Sequence, residues 1–251
     1  MNIAKRAIKI IREEGLEIFI KKAITYIFRT IFLPFLLPYA LLKIKKIRNE
    51  KKLDYLVDFA FDDLLGLISP IQIKEEILEL LRILNKIKPK VILEIGTASG
   101  GTLFLFTRVA SEDATIISID LPGGKFGGGY PAWKSHLYKA FKLPKQKMHL
   151  IRANSHSKET LEKLKNILGD RKIDFLFIDG DHTYKGVRKD FEMYSPLVRK
   201  GGIIAFHDIV DGPTKDVGGV PKFWREIKST ACKEIIKDRS QGGAGIGVLK
   251  I

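Results

Sequence analysis

Val91-Ile92-Leu93-Glu94-Ile95-Gly96-Thr97-Ala98-Ser99-Gly100-Gly101 is the stretch on which the reading of this 251-residue chain turns. A short apolar run reads as a buried strand. The glycines after it allow a tight turn and a close backbone approach to a ligand. Thr102–Ala110 then reads as a helix. A strand that enters a glycine turn and opens a helix is the first unit of a doubly wound sheet, where ligands sit beyond the carboxyl ends of the strands.

Working outward, the same alternation continues. Thr115–Ile119, His149–Arg152, Ile173–Ile178, Ile203–Phe206, Ile235–Lys237 and Gly245–Ile251 read as strands. Helices are expected over Ala132–Phe141, Lys158–Leu168, Tyr184–Leu197 and Pro221–Ser229. Upstream, Leu53–Leu67 and Ile71–Ile87 read as two helices, with Ser69-Pro70 starting the second. Strands alternating with helices imply a mostly parallel α/β sheet covered on both faces.

Residues 1–52 differ from the rest. Apolar residues recur at helical spacing, and thirteen Lys/Arg face four Asp/Glu, a large share of the chain's net charge of +15. The longest uncharged run, Thr30–Leu42, has 13 residues and contains Pro34 and Pro38. A membrane span needs about 20 apolar residues. No small-residue cleavage site follows, so a signal peptide does not fit either. Two readings stay open. One is a basic amphipathic anchor on an anionic membrane surface. The other is a lid, or a contact between copies in a homo-oligomer. Nucleic acid is not expected, because the body lacks an aromatic-plus-basic reading motif. The single cysteine, Cys232, excludes a disulfide framework and a Cys-rich zinc site. It fits the cytoplasm, with the inner face of the cell membrane as the place a basic anchor would hold the chain. The expected division is a helical extension, 1–52, and a catalytic domain, 53–251.

Two cofactors compete for the glycine turn. A dinucleotide site wants G-x-G-x-x-G, and Ala98 stands where its second glycine belongs. Glu94 would repel a pyrophosphate and suit a ligand carrying an ammonium and a sulfonium. Asp120, ending the second strand, can accept ribose hydroxyls in either case. The pattern Glu94-x-Gly96-x-x-x-Gly100 resembles the first motif of class I methyltransferases, which implies an S-adenosylmethionine site at Glu94, Gly96, Thr97, Ser99 and Gly100, continuing to Asp120 and Leu121. Ala153-Asn154-Ser155 stands where related methyltransferases often carry Gly-Asp-Ser, which places Asn154 and Ser155 at the adenine edge. By itself Asn154 also reads as a turn residue capping the next helix.

Two neighbouring strands end in polar groups: Phe175–Ile178 runs into Asp179-Gly180-Asp181-His182, and Gly202–Phe206 runs into His207-Asp208. Parallel pairing would bring Asp179, Asp181, His182, His207 and Asp208 to one rim. The desolvation cost of such a cluster calls for a ligand or a metal. A divalent ion there could acidify a bound hydroxyl, carboxylates suit Mg²⁺ or Mn²⁺, and a histidine could take the proton. Asp181 reads as the N-cap of the following helix.

These segments, with the Glu94–Gly101 loop, resemble the family that includes macrolide-sugar and catechol-type O-methyltransferases and the cephalosporin-hydroxylase-like proteins, over roughly residues 70–251. The resemblance implies a Rossmann-like sheet of seven strands with a final antiparallel one. It implies Asp179, His207 and Asp208 as metal ligands, with Asp179 also bordering the cofactor, and His182 as the base. His207 departs from the acidic residue usual at its position. The implied reaction is O-methylation of a sugar, glycan, lipid-linked or other small-molecule acceptor. The alternatives are an NAD-dependent oxidoreductase on the same kind of sheet and a non-catalytic membrane-associated binding module.

Overall fold

The structure, a computed structural model, describes residues 33–123, 129–230 and 232–251. Most of the expected anchor (1–32) and residues 124–128, part of a Gly-rich stretch expected as a loop over 122–130, lie outside the described residues. The chain divides into two units, Met1–Lys46 and Ile47–Ile251. In the first, a 3-10 turn, Leu33–Leu36, leads into α1 (Leu37–Lys46).

The second unit begins with α2 (Leu53–Asp58), which widens into a π-helical turn over Phe59–Asp63. Next come α3 (Lys74–Ile87), β1 (Val91–Ile95), α4 (Gly101–Val109), β2 (Thr115–Asp120), α5 (Lys134–Lys139) and β3 (Lys147–Arg152). The chain continues through α6 (Lys158–Leu168), β4 (Ile173–Ile178), α7 (Tyr184–Tyr194) and β5 (Val198–His207). It ends with α8 (Thr214–Val217), α9 (Val220–Ile227), β6 (Lys233–Ile235) and β7 (Ile246–Lys250). The seven strands form one Rossmann-like sheet in the order β3-β2-β1-β4-β5-β7-β6. β7 alone runs against its neighbours.

The alternation of side chains along each strand builds the two apolar layers. On β4, Phe175 and Phe177 meet Phe106 of α4, with ring centroids 5.1 and 5.3 Å apart. On β5, Phe206 meets Phe191 of α7 and Phe223 and Trp224 of α9 on the opposite face. Every residue of β1 and β2 is buried, as a strand covered on both sides requires. Register sets the upper edge. Ile95 pairs with Ile119 and with Ile178, and Ile178 pairs with Phe206. Gly96, Asp120, Asp179 and His207 therefore leave the sheet at one level.

Most elements differ from their expected bounds by a residue or two, β5 begins at Val198 instead of Ile203, and four further departures have a visible cause. α3 starts at Lys74, not near Pro70, because Pro70–Ile73 passes over the strand ends, where Gln72 reaches Asp179. The expected Leu53–Leu67 helix stops early and closes with Leu65 and Gly66 at positive φ. α7 ends at Tyr194, and Pro196 sits in a 3-10 turn. β6 is Lys233–Ile235 instead of Ile235–Lys237, since the Lys237 N–H is drawn away to Glu76 at 3.0 Å.

Phe106 is fully buried against β4. Phe106→Ala is expected to cost about 3–5 kcal/mol of stability, read as a lower urea midpoint with unchanged slope.

Candidate active site

The turn after β1 is held from below. Gly96, Ala98 and Gly100 have φ of +93°, +43° and +92°. Asp120 Oδ2 accepts from the backbone N–H of Thr97 at 2.9 Å and of Ala98 at 2.7 Å. The Tyr138 hydroxyl donates to the Ala98 carbonyl at 2.8 Å. A β-carbon at Gly96 would run into the carbonyl oxygen of Asp179, and one at Gly100 into the Tyr138 ring. The loop is thus locked both to the end of β2 and to the end of β4.

A cavity of about 880 Å³ opens beyond the strand ends. Of the residues expected at the site, Gly96, Thr97, Ser99, Asp120, Leu121, Asn154, Ser155, Asp179, His182, His207 and Asp208 line it. Gly100 and Glu94 do not. Glu94 is wholly buried behind the loop, where its Oε1 accepts from Thr102 Oγ1 at 2.6 Å and its Oε2 has no partner. Burial pushes its carboxyl up to about 8, against the pull of the Thr102 hydrogen bond. The expectation of a charged carboxylate facing a cationic ligand does not match this placement.

At the β3 end, Asn154 Oδ1 accepts the His156 N–H at 2.9 Å. The cap of α6 is Ser157, which accepts from Thr160 N–H. His156 also lines the cavity, with Nε2 3.2 Å from Oδ1 of the fully buried Asp190. The hydrogen bond to Asp190 holds the imidazole above its usual range, burial opposing.

At the other end the two strand ends converge. Asp179 Oδ1 lies 3.4 Å from His182 Nε2 and 3.3 Å from His207 Nδ1. Asp208 Oδ2 lies 3.2 Å from His182 Nδ1, and its Oδ1 lies 3.4 Å from His207 Nδ1. Asp208 has φ +62°, and its Oδ1 accepts the Ala244 N–H at 3.1 Å. His182 Nδ1 is 2.6 Å from the Asp216 carbonyl. Asp179, His182 and Asp208 present ligand atoms that all lie within 4.8 Å of one another. Asp181 lines the cavity too but does not cap α7. That cap is Thr183, which accepts from Gly186 N–H, while Asp181 accepts from Thr183 N–H.

The ionisation of these groups is mutual. Burial would raise Asp179, but the charges of His207 and His182 bring it down to about 2. Burial would lower both imidazoles, yet the Asp179 carboxylate lifts His182 to about 9 and His207 to about 10.

Several lining residues carry no signal of their own in the sequence. Gln72 donates to Asp179 Oδ2 at 2.7 Å from an otherwise apolar stretch. The His156–Asp190 pair joins residues 34 apart. The Gly242-Gly243-Ala244 wall could have been flagged by its glycines. Lys215–Val217 lines the cavity as well.

Residues 93–209 match the methyltransferase domain family. The match covers just under half of the chain. The match sets aside the dinucleotide-dependent reading. An uncharacterized protein of Sinorhizobium fredii is 26% identical over 149 residues, 58% of this chain and 16% of that protein. An uncharacterized protein of Acanthamoeba polyphaga mimivirus is 34% identical over 119 residues, 47% of this chain and 51% of that one. The matched region thus spans about half of the length of one of these relatives and less of the other. Among solved structures, the O-methyltransferase TomG from Streptomyces achromogenes, in complex with S-adenosylmethionine, superposes with a TM-score of 0.53 at 18% identity, covering 82% of this chain and 94% of TomG. CalS11, a TDP-rhamnose 3′-O-methyltransferase of calicheamicin biosynthesis, gives 0.53 at 16% identity, covering 85% and 93%. The chain therefore shares the fold of these O-methyltransferases.

A pH signature follows for the metal-free protein. Histidines raised in the folded state add stability that is complete below the unfolded value near 6.5 and is lost as pH rises through their folded values. The thermal midpoint is expected to fall between about pH 6.5 and pH 10, and to fall less in His207→Gln. Scanning calorimetry across that range reads both.

Proposed function

We propose that the chain transfers a methyl group from S-adenosylmethionine to a hydroxyl oxygen of a sugar, glycan, lipid-linked or other small-molecule acceptor, with help from Mg²⁺ or Mn²⁺. One observation carries this reading: the ends of β4 and β5 bring two carboxylates and an imidazole, within ligating distance of one another, to the cavity that the glycine loop also lines.

The residues fit the methyl donor. The cavity has room for it, and the acidic groups around it favour a cation. Asp120 is proposed to meet the ribose hydroxyls while it holds the loop. The Asn154 amide oxygen is already occupied by the His156 N–H, which leaves the amide NH₂ to donate to adenine. Ser155 and the half-exposed Leu121 are proposed to border the ring. Gly96, Thr97 and Ser99 would face the methionine portion, with Gly100 and Glu94 supporting the loop from behind. Bound there, the sulfonium supplies an electrophilic methyl group that leaves sulfur for oxygen.

The donor set also fits a hard divalent cation, because carboxylate oxygens with one imidazole suit Mg²⁺ or Mn²⁺. Asp179, Asp208 and His182 are proposed to hold it. Bound there, the cation would acidify the acceptor hydroxyl. His207 Nδ1 sits between the two carboxylates and orients both. The Asp216 carbonyl takes the His182 Nδ1–H, so a neutral His182 carries its lone pair on Nε2. A second reading makes His207 the ligand and leaves His182 to accept the acceptor's proton. Its support is exposure, since His182 is the more accessible of the two. His182→Ala separates the readings. As a ligand, its loss weakens Mn²⁺ binding about 10–100-fold. As a base, its loss leaves Mn²⁺ binding intact and lowers turnover about 10²–10⁴-fold. If neither changes, His182 has no part in the reaction.

The acceptor class is supported by kinship of fold with CalS11, whose described substrate is a nucleotide sugar. Residues 1–52 are proposed as a membrane-surface attachment to a domain spanning 53–251, on the inner face of the cell membrane. Among the described residues no helix is long and apolar enough to cross a membrane. Phe35 and Leu42, 77% and 69% exposed, stand near Lys43, Lys45 and Lys46. Phe35→Ser with Leu42→Ser is expected to reduce co-sedimentation with phosphatidylserine vesicles, while neutral vesicles bind neither form. Equal binding of both forms to anionic vesicles would reject the attachment.

A further inference from the structure

Residues at the start of α3 support the rim at two points, and only one of them touches it. Gln72 donates directly to Asp179. Glu76 does not line the cavity and is 1% exposed. Its Oε1 accepts from the Lys237 backbone N–H at 3.0 Å and from Gln241 Nε2 at 2.8 Å. Its Oε2 accepts from the Gly245 N–H at 2.9 Å. The Lys237 ammonium does not pair with it but goes to Glu75 at 2.7 Å. Three N–H donors and the amino end of its own helix surround this buried side chain.

All three donors lie on the connection between β6 and β7. Gly242, Gly243, Ala244 and Gly245 in that connection have φ of +72°, +138°, +55° and +79°. Such a run is permissive in its own backbone preferences and takes its shape from what grips it. Gly242–Ala244 form a wall of the cavity, and the Ala244 N–H is the group that holds Asp208 Oδ1.

We propose that Glu76 is a positioning residue that acts through this connection on Asp208. By gripping Gly245 on one side of Ala244 and Gln241 on the other, it sets where the Ala244 N–H stands, and so where the Asp208 carboxylate points. The inference rests on the reading that Asp208 helps to hold a divalent cation. Glu76→Gln preserves shape and removes one acceptor. Whichever way the amide turns, its NH₂ faces either the Gly245 N–H or the Lys237 and Gln241 donors, and that contact is lost.

The experiment titrates Mn²⁺ alone into the full chain, read by electron paramagnetic resonance, with S-adenosylhomocysteine affinity measured calorimetrically beside it. Glu76→Gln is expected to bind Mn²⁺ about 10–100-fold more weakly. Its affinity for S-adenosylhomocysteine should stay within about twofold, because Asp120 holds the donor loop independently. The rate constant kcat should fall with KM for the donor unchanged. Lys237→Ala, which removes only the exposed ion pair to Glu75 and keeps the backbone N–H, should match the wild type. Unchanged Mn²⁺ affinity in Glu76→Gln overturns the proposal, and so does a parallel loss of both ligands. A wild-type chain that takes up no Mn²⁺ defeats the metal reading instead. The grip on Asp208 is then judged by hydrogen exchange at Ala244, which should quicken in Glu76→Gln and whose constancy would reject it. If Glu76→Gln does not fold, exchange in the wild type decides: Ala244 and Gly245 protected like β7 support the grip, and free-loop rates refute it.

Discussion

Two carboxylates, Asp179 and Asp208, share the end of a buried sheet. Removing a charged group from water is costly, and two like charges a few ångströms apart add to the cost. Here the cost is offset by two imidazoles, His182 and His207, placed so that each lies within 3.4 Å of both acids. A divalent ion is another way to meet the same need. The arrangement of the strand ends, of the segment before α3 and of the β6–β7 connection can be read as serving this cluster.

That arrangement begins with register. Parallel pairing of Ile178 with Phe206 sets Asp179 level with His207, and pairing of Ile95 with Ile178 sets Gly96 beside Asp179. The glycine loop and the acidic rim therefore meet at one backbone junction. The absence of a side chain at Gly96 is what lets the loop lie against the Asp179 carbonyl. Methyl transfer demands that donor and acceptor be held within contact distance of each other. A shared backbone junction is a rigid means of doing so, and it is supported further by Gln72 from the segment before α3.

Much of this was legible in the sequence, because the informative signals are local. Val91–Ile95 followed by glycines, and two apolar strands ending in Asp179–His182 and His207–Asp208, announce themselves through hydrophobicity and turn chemistry. What was not legible depends on partners far along the chain. Glu94 looked like a site residue because it stands beside the glycine turn, yet it is turned away under α4 to meet Thr102. Gln72 looked like one more residue of a helix start. Glu76 stands in a Lys-Glu-Glu run that gives no sign of burial, and only its three donors, more than 160 residues away, show why it is buried. The bounds of β6 were misread for the same reason, since the sequence does not reveal that Lys237 bonds to a helix instead of the sheet.

The left-handed turn at Asp208 has a consequence of its own. Along a strand, adjacent side chains point to opposite faces, so His207 and Asp208 could not both serve one cluster if β5 simply continued. The reversal of φ at Asp208 breaks that alternation and swings the second side chain back beside the first. Position 208 is thereby filtered twice, once by chemistry and once by backbone. Glycine and asparagine would tolerate the bend without supplying a charge, and glutamate would supply the charge but resist the bend. Aspartate is the residue that meets both demands.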